Sequence, residues 1–161
     1  MATARGLRNR LAEVNIHSIA IQLYEKHSKE FERANRKQLW NGKKADGTNI
    51  TPSYSNDPYF KTRKQAEAYA KWKFSGKYGQ GTTRDKDTPN LYINGYFYST
   101  IVLNVSEKPV LVVNNSFGSE VESGHPGILG VGRENLKEIA DKHFLPDFYD
   151  YLEKTTQLKF R

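Results

Sequence analysis

LYINGYFYST, Leu91 to Thr100, holds four aromatic rings and a single glycine in ten residues. It is either a strand laid on a core or a row of rings offered to a partner. Split by a period of two and carried on to Val105, the stretch falls into two sets. Leu91, Ile93, Gly95, Phe97, Ser99, Ile101, Leu103 and Val105 form an apolar face; Tyr92, Asn94, Tyr96, Tyr98, Thr100, Val102 and Asn104 form a polar-aromatic one. That alternation predicts a strand with one side on a core. SEKP (106–109) supplies a turn and VLVVNN (110–115) a returning strand, so a β-hairpin is expected over 91–115, with Gly95 at a bend or bulge. A lone hairpin is only marginally stable, and it needs a helix or further strands to lie on.

Upstream, residues 7–39 read as one long helix. Leu11, Ile16, Ile19, Leu23 and Phe31 keep roughly helical spacing, and no proline intervenes. NGKKADGTNITP (41–52) breaks the pattern with two glycines and a proline. PSYSNDPYF (52–60) is a loop. A basic insert occupies 61–90: KTRKQAEAYAKWKFSG (61–76) is composed of helix formers and stops at Gly76, and KYGQGTTRDKDTPN (77–90) is a polar loop. Downstream, Leu136, Ile139, Ala140, His143 and Phe144 stand at i, i+3, i+4, i+7 and i+8, and Pro146 suits the first turn of a further helix. C-terminal helices are therefore expected over 133–156. The class is α+β, a single domain over 1–161: a long N-terminal helix packed on a small antiparallel sheet, with helices at the C-terminal end.

The chain has 161 residues and no cysteine, which excludes disulfides, thiolate metal sites and a cysteine nucleophile. No apolar run long enough for a secretory signal or a membrane span is present, and a soluble protein is expected. The formal net charge of +7 is unevenly spread. Residues 1–90 carry 18 Lys and Arg against 9 Asp and Glu, whereas residues 91–161 carry 7 against 9. The basic half points to a polyanion. Its candidate phosphate contacts are Lys61, Arg63, Lys64, Lys71, Lys73 and Lys77.

Catalytic signatures are lacking. His17, His27, His125 and His143 form no i, i+3 or i+4 pair and no HExxH pattern, and His143 reads as a packed histidine. Asp85 and Asp87 could hold a cation but read more simply as a solvated loop, and Asp147 and Asp150 favour a helix N-terminus. GKYGQG and GILGVG do not sit between a strand and a helix as a dinucleotide loop would, and there is no P-loop or GxSxG elbow. No catalytic residue, metal ligand or cofactor is assigned, and no enzyme is expected. Tyr92, Tyr96 and Tyr98 could meet a neighbouring subunit, pack within the chain or stack on bases; the subunit contact is the leading expectation.

Three stretches also carry a resemblance. NRKQLWNGKKADGTNI (35–50) is similar to the Asn-x-x-Gln-Leu-x-x-Gly-x-x-x-x-Gly-x-x-Ile stretch of short proteins from tailed-phage morphogenesis modules, especially in phages and prophages of Bacteroidetes. LYINGYFYST resembles those proteins' Leu-Tyr-x-Thr-Gly-x-Phe-Tyr-x-Ser stretch. GILGVGRENLKEIADKHFLPDFYDYL (127–152) resembles their closing Ile-x-Gly-Leu and helix segment. Asn94 stands where Thr is usual, Val131 where Leu is, Gly132 is additional, and the 61–90 insert is long and basic. The resemblance implies a virion structural protein of the neck or tail-completion (head–tail connector) type. Such a protein is made in the host cytoplasm and forms a homo-oligomeric ring around the DNA channel. Its neighbours would be the portal and the neck or tail proteins, with packaged DNA touched without sequence preference. The rival expectations are a stand-alone basic nucleic-acid-binding protein and, behind it, a nuclease using Asp85 or Asp87.

Overall fold

A computed structural model describes Gly6, Arg8, Asn9, Ala12 and residues 14–157. Helices α1 (Ile16–Lys26) and α2 (Ser28–Trp40) lead into a looped segment, and α3 (Arg63–Phe74) follows. A one-turn helix α4 (Tyr96–Thr100) runs directly into β1 (Ile101–Asn104), which pairs antiparallel with β2 (Val110–Val113), Ile101 opposite Val113 and Asn104 opposite Val110. Helices α5 (Ser116–Gly124), α6 (Arg133–Ile139) and α7 (Leu145–Thr156) complete the order. The α+β class holds, with a two-stranded sheet and C-terminal helices.

The helix expected over 7–39 is interrupted: Val14 and Asn15 are not helical, and a further break divides 16–40 into α1 and α2. The chain turns at His27, whose imidazole lies 2.6 Å from the Asp147 carboxylate, which the Lys26 ammonium also reaches at 2.6 Å. Lys26 first, and His27 after it, hold the Asp147 carboxyl below the usual carboxylate range. This joint sits among the rings of Tyr24, Phe31 and Phe144, and it pins the start of α7 to the α1–α2 turn. Leu11 of the expected stripe lies outside the described residues.

The expected strand over 91–105 shortens to Ile101–Asn104. Gly95 adopts φ +85°, a left-handed conformation that favours glycine, and Asn94 Oδ1 accepts the Tyr96 N–H at 3.0 Å. That turn starts a helix in which Ser99 and Thr100 return hydrogen bonds to the carbonyls of Tyr96 and Phe97. Phe97, Tyr98 and Ile101 then share one inward face at helical spacing, whereas Ile93, placed on the apolar face by a period of two, is exposed. The same aromatic residues fit both periods, and the Asn-Gly turn decides between them.

The main core is Leu39, Ile50, Phe97, Tyr98, Ile101 and Ile128. Its members come from the stretches 35–50, 91–100 and 127–152, together with the strand that follows the second. Buried polar side chains of α2 fix these stretches to one another. Asn35 Nδ2 donates to the Ile128 and Gly130 carbonyls at 2.8 and 2.6 Å. Gln38 Oε1 accepts the Gly132 N–H at 2.8 Å. Arg36 donates to the Tyr98 and Ile101 carbonyls, and Glu32 accepts the Leu103 N–H. The last two residues cover the edge of β1 that β2 leaves unpaired, where an open row of backbone groups would invite pairing with another chain.

From α6 to α7 the backbone stays helical through a widened π turn at Ala140–Phe144. That turn lies immediately before Pro146, whose ring would collide with the carbonyl four residues back in a regular α-helix.

Replacing Asn35 with Ala should cost about 1–3 kcal/mol, because the buried Ile128 carbonyl loses its donor and the Gly130 carbonyl keeps only the longer bond from Gln38. Asn35→Asp should cost more, since it sets a carboxylate against those carbonyls. Urea unfolding midpoints measure both, and an Asn35→Asp chain as stable as wild type would contradict the role given to Asn35.

Candidate functional site

Helix α3 carries the geometry that matters. Thr62 caps it by accepting the Gln65 N–H, and Ala66, Ala70 and Lys73 form its buried stripe, with Tyr69 half-buried beside them. Tyr54 and Phe60, from the loop before the helix, set their rings 5.2 Å from that of Tyr69. Ring contacts continue through Trp72, Tyr78 and Tyr92 to Trp40 and Tyr98. The basic insert is thus fastened to the core by aromatic faces and edges, contacts worth about 0.5–1.5 kcal/mol each beyond area burial. Between this wall and a second one, made by segment 89–97 and α5, lies an open cavity of about 670 Å³. Gly118 allows α5 to sit so close to the sheet: a Cβ there would come within 2.7 Å of Val113.

Lys73 forms part of the cavity wall, although its side chain is 1% exposed. Its ammonium has no hydrogen-bond partner and rests 4.7 Å from the centroid of the Tyr78 ring. Burial, and then the neighbouring Arg84 guanidinium, pull its pKa down to about 8. Arg84 is buried too. It donates only to carbonyls, those of Asp85, Thr88 and Lys73, and its Nε has no partner. Two buried cations, Lys73 in the cavity wall and Arg84 behind it, therefore have no carboxylate bonded to either, in a region where burying an unpaired charge is costly. Burial also raises the Tyr54 and Tyr98 hydroxyls well above the usual tyrosine range, and both stay protonated. The Tyr98 hydroxyl donates to the Asn90 carbonyl at 2.6 Å.

The rim of the cavity is apolar and open to solvent. Tyr59 is 82% exposed, Ile93 59%, Tyr96 52% and Phe117 44%, and the Tyr96 and Phe117 rings stack 5.4 Å apart.

The structure sorts the candidates read from the sequence. Lys61, Arg63, Lys64, Lys71 and Lys77 are exposed; Arg63 is paired with Glu67, and Lys77 lies over Tyr78. Lys73 is the correction among them: it points inward and offers nothing to an external phosphate. The tyrosine set divides as well. Tyr98 is a core residue and Tyr92 is covered by Trp40, Tyr78 and Tyr98, so the subunit contact expected of these two is replaced by packing within the chain. Tyr96 alone stays at the surface.

Asp87 accepts hydrogen bonds from the Ser55 N–H and hydroxyl, and Asp85 accepts from the Asp87 N–H, so both brace the loop. His125 is bonded to the Thr51 carbonyl, and the His143 ring lies beside that of His27. Among the described residues no three His, Asp or Glu side chains gather as a metal site, and no helix is long and apolar enough to cross a membrane.

Comparison with protein-family models, with curated proteins and with solved structures finds no match. The cavity and the inward Lys73 are not among the expectations drawn from the sequence. The signal is present nonetheless: Ala66, Tyr69, Ala70 and Lys73 stand at i, i+3, i+4 and i+7, an apolar template closed by a lysine. The second wall comes from residues far apart in the chain and has no local signature.

Lys73→Met should stabilise the free protein by about 1–3 kcal/mol at neutral pH, because it removes a buried unpaired charge. The folded chain releases the Lys73 proton near pH 8, whereas the unfolded chain keeps it to about pH 10.4. Wild-type stability should therefore rise across that interval and the gap to the variant should close. Urea unfolding across the interval tests this, and a gap independent of pH would contradict it.

Proposed function

We propose that this chain is a non-enzymatic structural subunit of a tailed-phage virion, forming a closed ring at the junction of portal, neck and tail. The observation that carries the reading is the rim of Tyr59, Ile93, Tyr96 and Phe117, apolar side chains held open to solvent around one cavity on an otherwise basic chain. Contiguous apolar surface of this kind marks contact with another macromolecule. A heterologous contact that closes on itself generates a ring. A second support is the resemblance of three stretches to short proteins of tailed-phage morphogenesis modules; in this chain side chains from all three stretches meet in one core. The exposed cations Lys61, Arg63, Lys64, Lys71 and Lys77 are suited to DNA phosphates without sequence preference.

The same cations favour a second reading, a basic nucleic-acid-binding protein acting as a monomer. Sedimentation velocity across a concentration series separates the two. The ring reading expects one discrete assembly at high concentration and expects Tyr96→Ala with Phe117→Ala to weaken assembly by about tenfold or more. A chain that stays monomeric throughout while binding duplex DNA contradicts the ring and supports the second reading. In either case Lys64→Ala with Lys71→Ala should lower the salt slope of DNA binding by about one to two.

A further inference from the structure

We propose that the Asn94-Gly95 peptide is a site of self-modification. The Gly95 amide nitrogen attacks the Asn94 side-chain amide, ammonia leaves, and water opens the resulting succinimide to aspartyl and isoaspartyl forms. The inference concerns the free chain and is independent of whether that chain forms rings.

The sequence holds two Asn-Gly pairs, 41–42 and 94–95, and the fold treats them differently. Asparagine is a thermolabile residue, and glycine, without a side chain, hinders an attack by its own nitrogen least, so on sequence alone both pairs are open to this chemistry. At the first pair the reacting atoms are all engaged. Asn41 Nδ2 donates to the Lys37 carbonyl at 3.1 Å, Asn41 Oδ1 accepts the Thr83 N–H at 3.0 Å, and the Gly42 N–H donates to the Leu39 carbonyl at 2.9 Å. Gly42 is also buried.

At the second pair the same atoms are free or placed to react. Asn94 is exposed, and its Nδ2 has no hydrogen-bond partner among the described residues. The Gly95 N–H donates to no carbonyl among them. Asn94 Oδ1 accepts the Tyr96 N–H, which closes a ring of atoms that contains the Gly95 nitrogen and folds the side-chain amide back over it. Nucleophile and carbonyl carbon are thus held near one another. The Tyr96 donor also sits on the oxygen where negative charge develops as the nitrogen adds, the placement that stabilises such an intermediate.

The step needs only water. The Gly95 nitrogen loses its proton to solvent and bonds to Asn94 Cγ; the Cγ–Nδ2 bond breaks, and Nδ2 departs as ammonia with a proton from water. Water then cleaves the succinimide and returns a proton to the Gly95 nitrogen. Cleavage at Cγ leaves an aspartate in an unaltered backbone. Cleavage at the main-chain carbonyl carbon leaves an isoaspartate, with the chain routed through Cβ and Cγ. Either product sets a carboxylate on the cavity wall that Asn94 lines. The isoaspartyl form also adds a methylene to the backbone turn from which α4 starts.

Peptide mass spectrometry on the full chain, incubated at low concentration and neutral pH, tests the site. In the folded chain Asn94 should convert to the acid about tenfold or more faster than Asn41, whose hydrogen bonds must break before it can react. In urea, where the fold no longer distinguishes the two pairs, that gap should close. Both aspartyl and isoaspartyl peptides should appear at position 94, told apart by electron-transfer fragmentation, because only the succinimide yields the second. A folded chain in which Asn94 converts no faster than Asn41 would overturn the proposal. So would a gap that persists undiminished in urea, or an aspartyl product alone, which is the mark of direct hydrolysis by water.

Discussion

Helix α2 carries the polar side chains that satisfy backbone groups which helix and sheet bonding leaves unpaired, and the rest of the fold depends on that. With only two four-residue strands among the described residues, long stretches of chain have no ladder to join, and buried backbone groups must be paired by other means. Asn35 and Gln38 hold 128–132, Arg36 and Glu32 hold 98–103, and Asn41, just past the helix, accepts the Thr83 N–H. Three segments distant in sequence are thereby referred to one helix, and the apolar residues beside those bonds close into the core. A helix face that would look like a solvated surface by composition is instead an internal scaffold.

The cavity is a consequence of this arrangement. Once 98–103 is fixed against α2, the segment before it carries Leu91 to Phe97 along one wall, and α5 follows β2 onto the same side. Helix α3 has no comparable polar tie to α2 and is fastened through rings and through Arg84, which donates to the Lys73 carbonyl. Aromatic contacts tolerate small sliding better than hydrogen bonds do. The wall that carries Lys73 is also where the uncompensated positive charge lies.

Much of this was legible in the residues, and the failures have particular causes. Ile19, Leu23 and Phe31 of the expected N-terminal stripe and Ile139 of the C-terminal one are buried as local periodicity implies, whereas Ile16 and Leu136, at the start of each pattern, are exposed. The break at His27 coincides with a contact that is not local: its imidazole meets Asp147, 120 positions away. The strand expected from Leu91 failed because Phe97, Tyr98 and Ile101 satisfy a helical stripe as well as an alternating one, and the Asn94-Gly95 turn tips the balance. Composition alone reads Lys73 as a surface cation, whereas its spacing from Ala66 and Ala70 places it inward. The exposed rim could not be foreseen, since Tyr59, Ile93, Tyr96 and Phe117 converge only through the tertiary fold.

The ring proposal gives the rim its purpose: apolar side chains left in water by one subunit are covered by the next, while the exposed cations of α3 and its flanks remain free to face a polyanion. The most direct measurement is photo-crosslinking from the rim, with benzoylphenylalanine in place of Tyr96 in the full chain at high concentration. The account predicts covalent ladders of the chain to itself that stop at a fixed number of subunits. A chain that crosslinks only within itself, at every concentration tried, would contradict it.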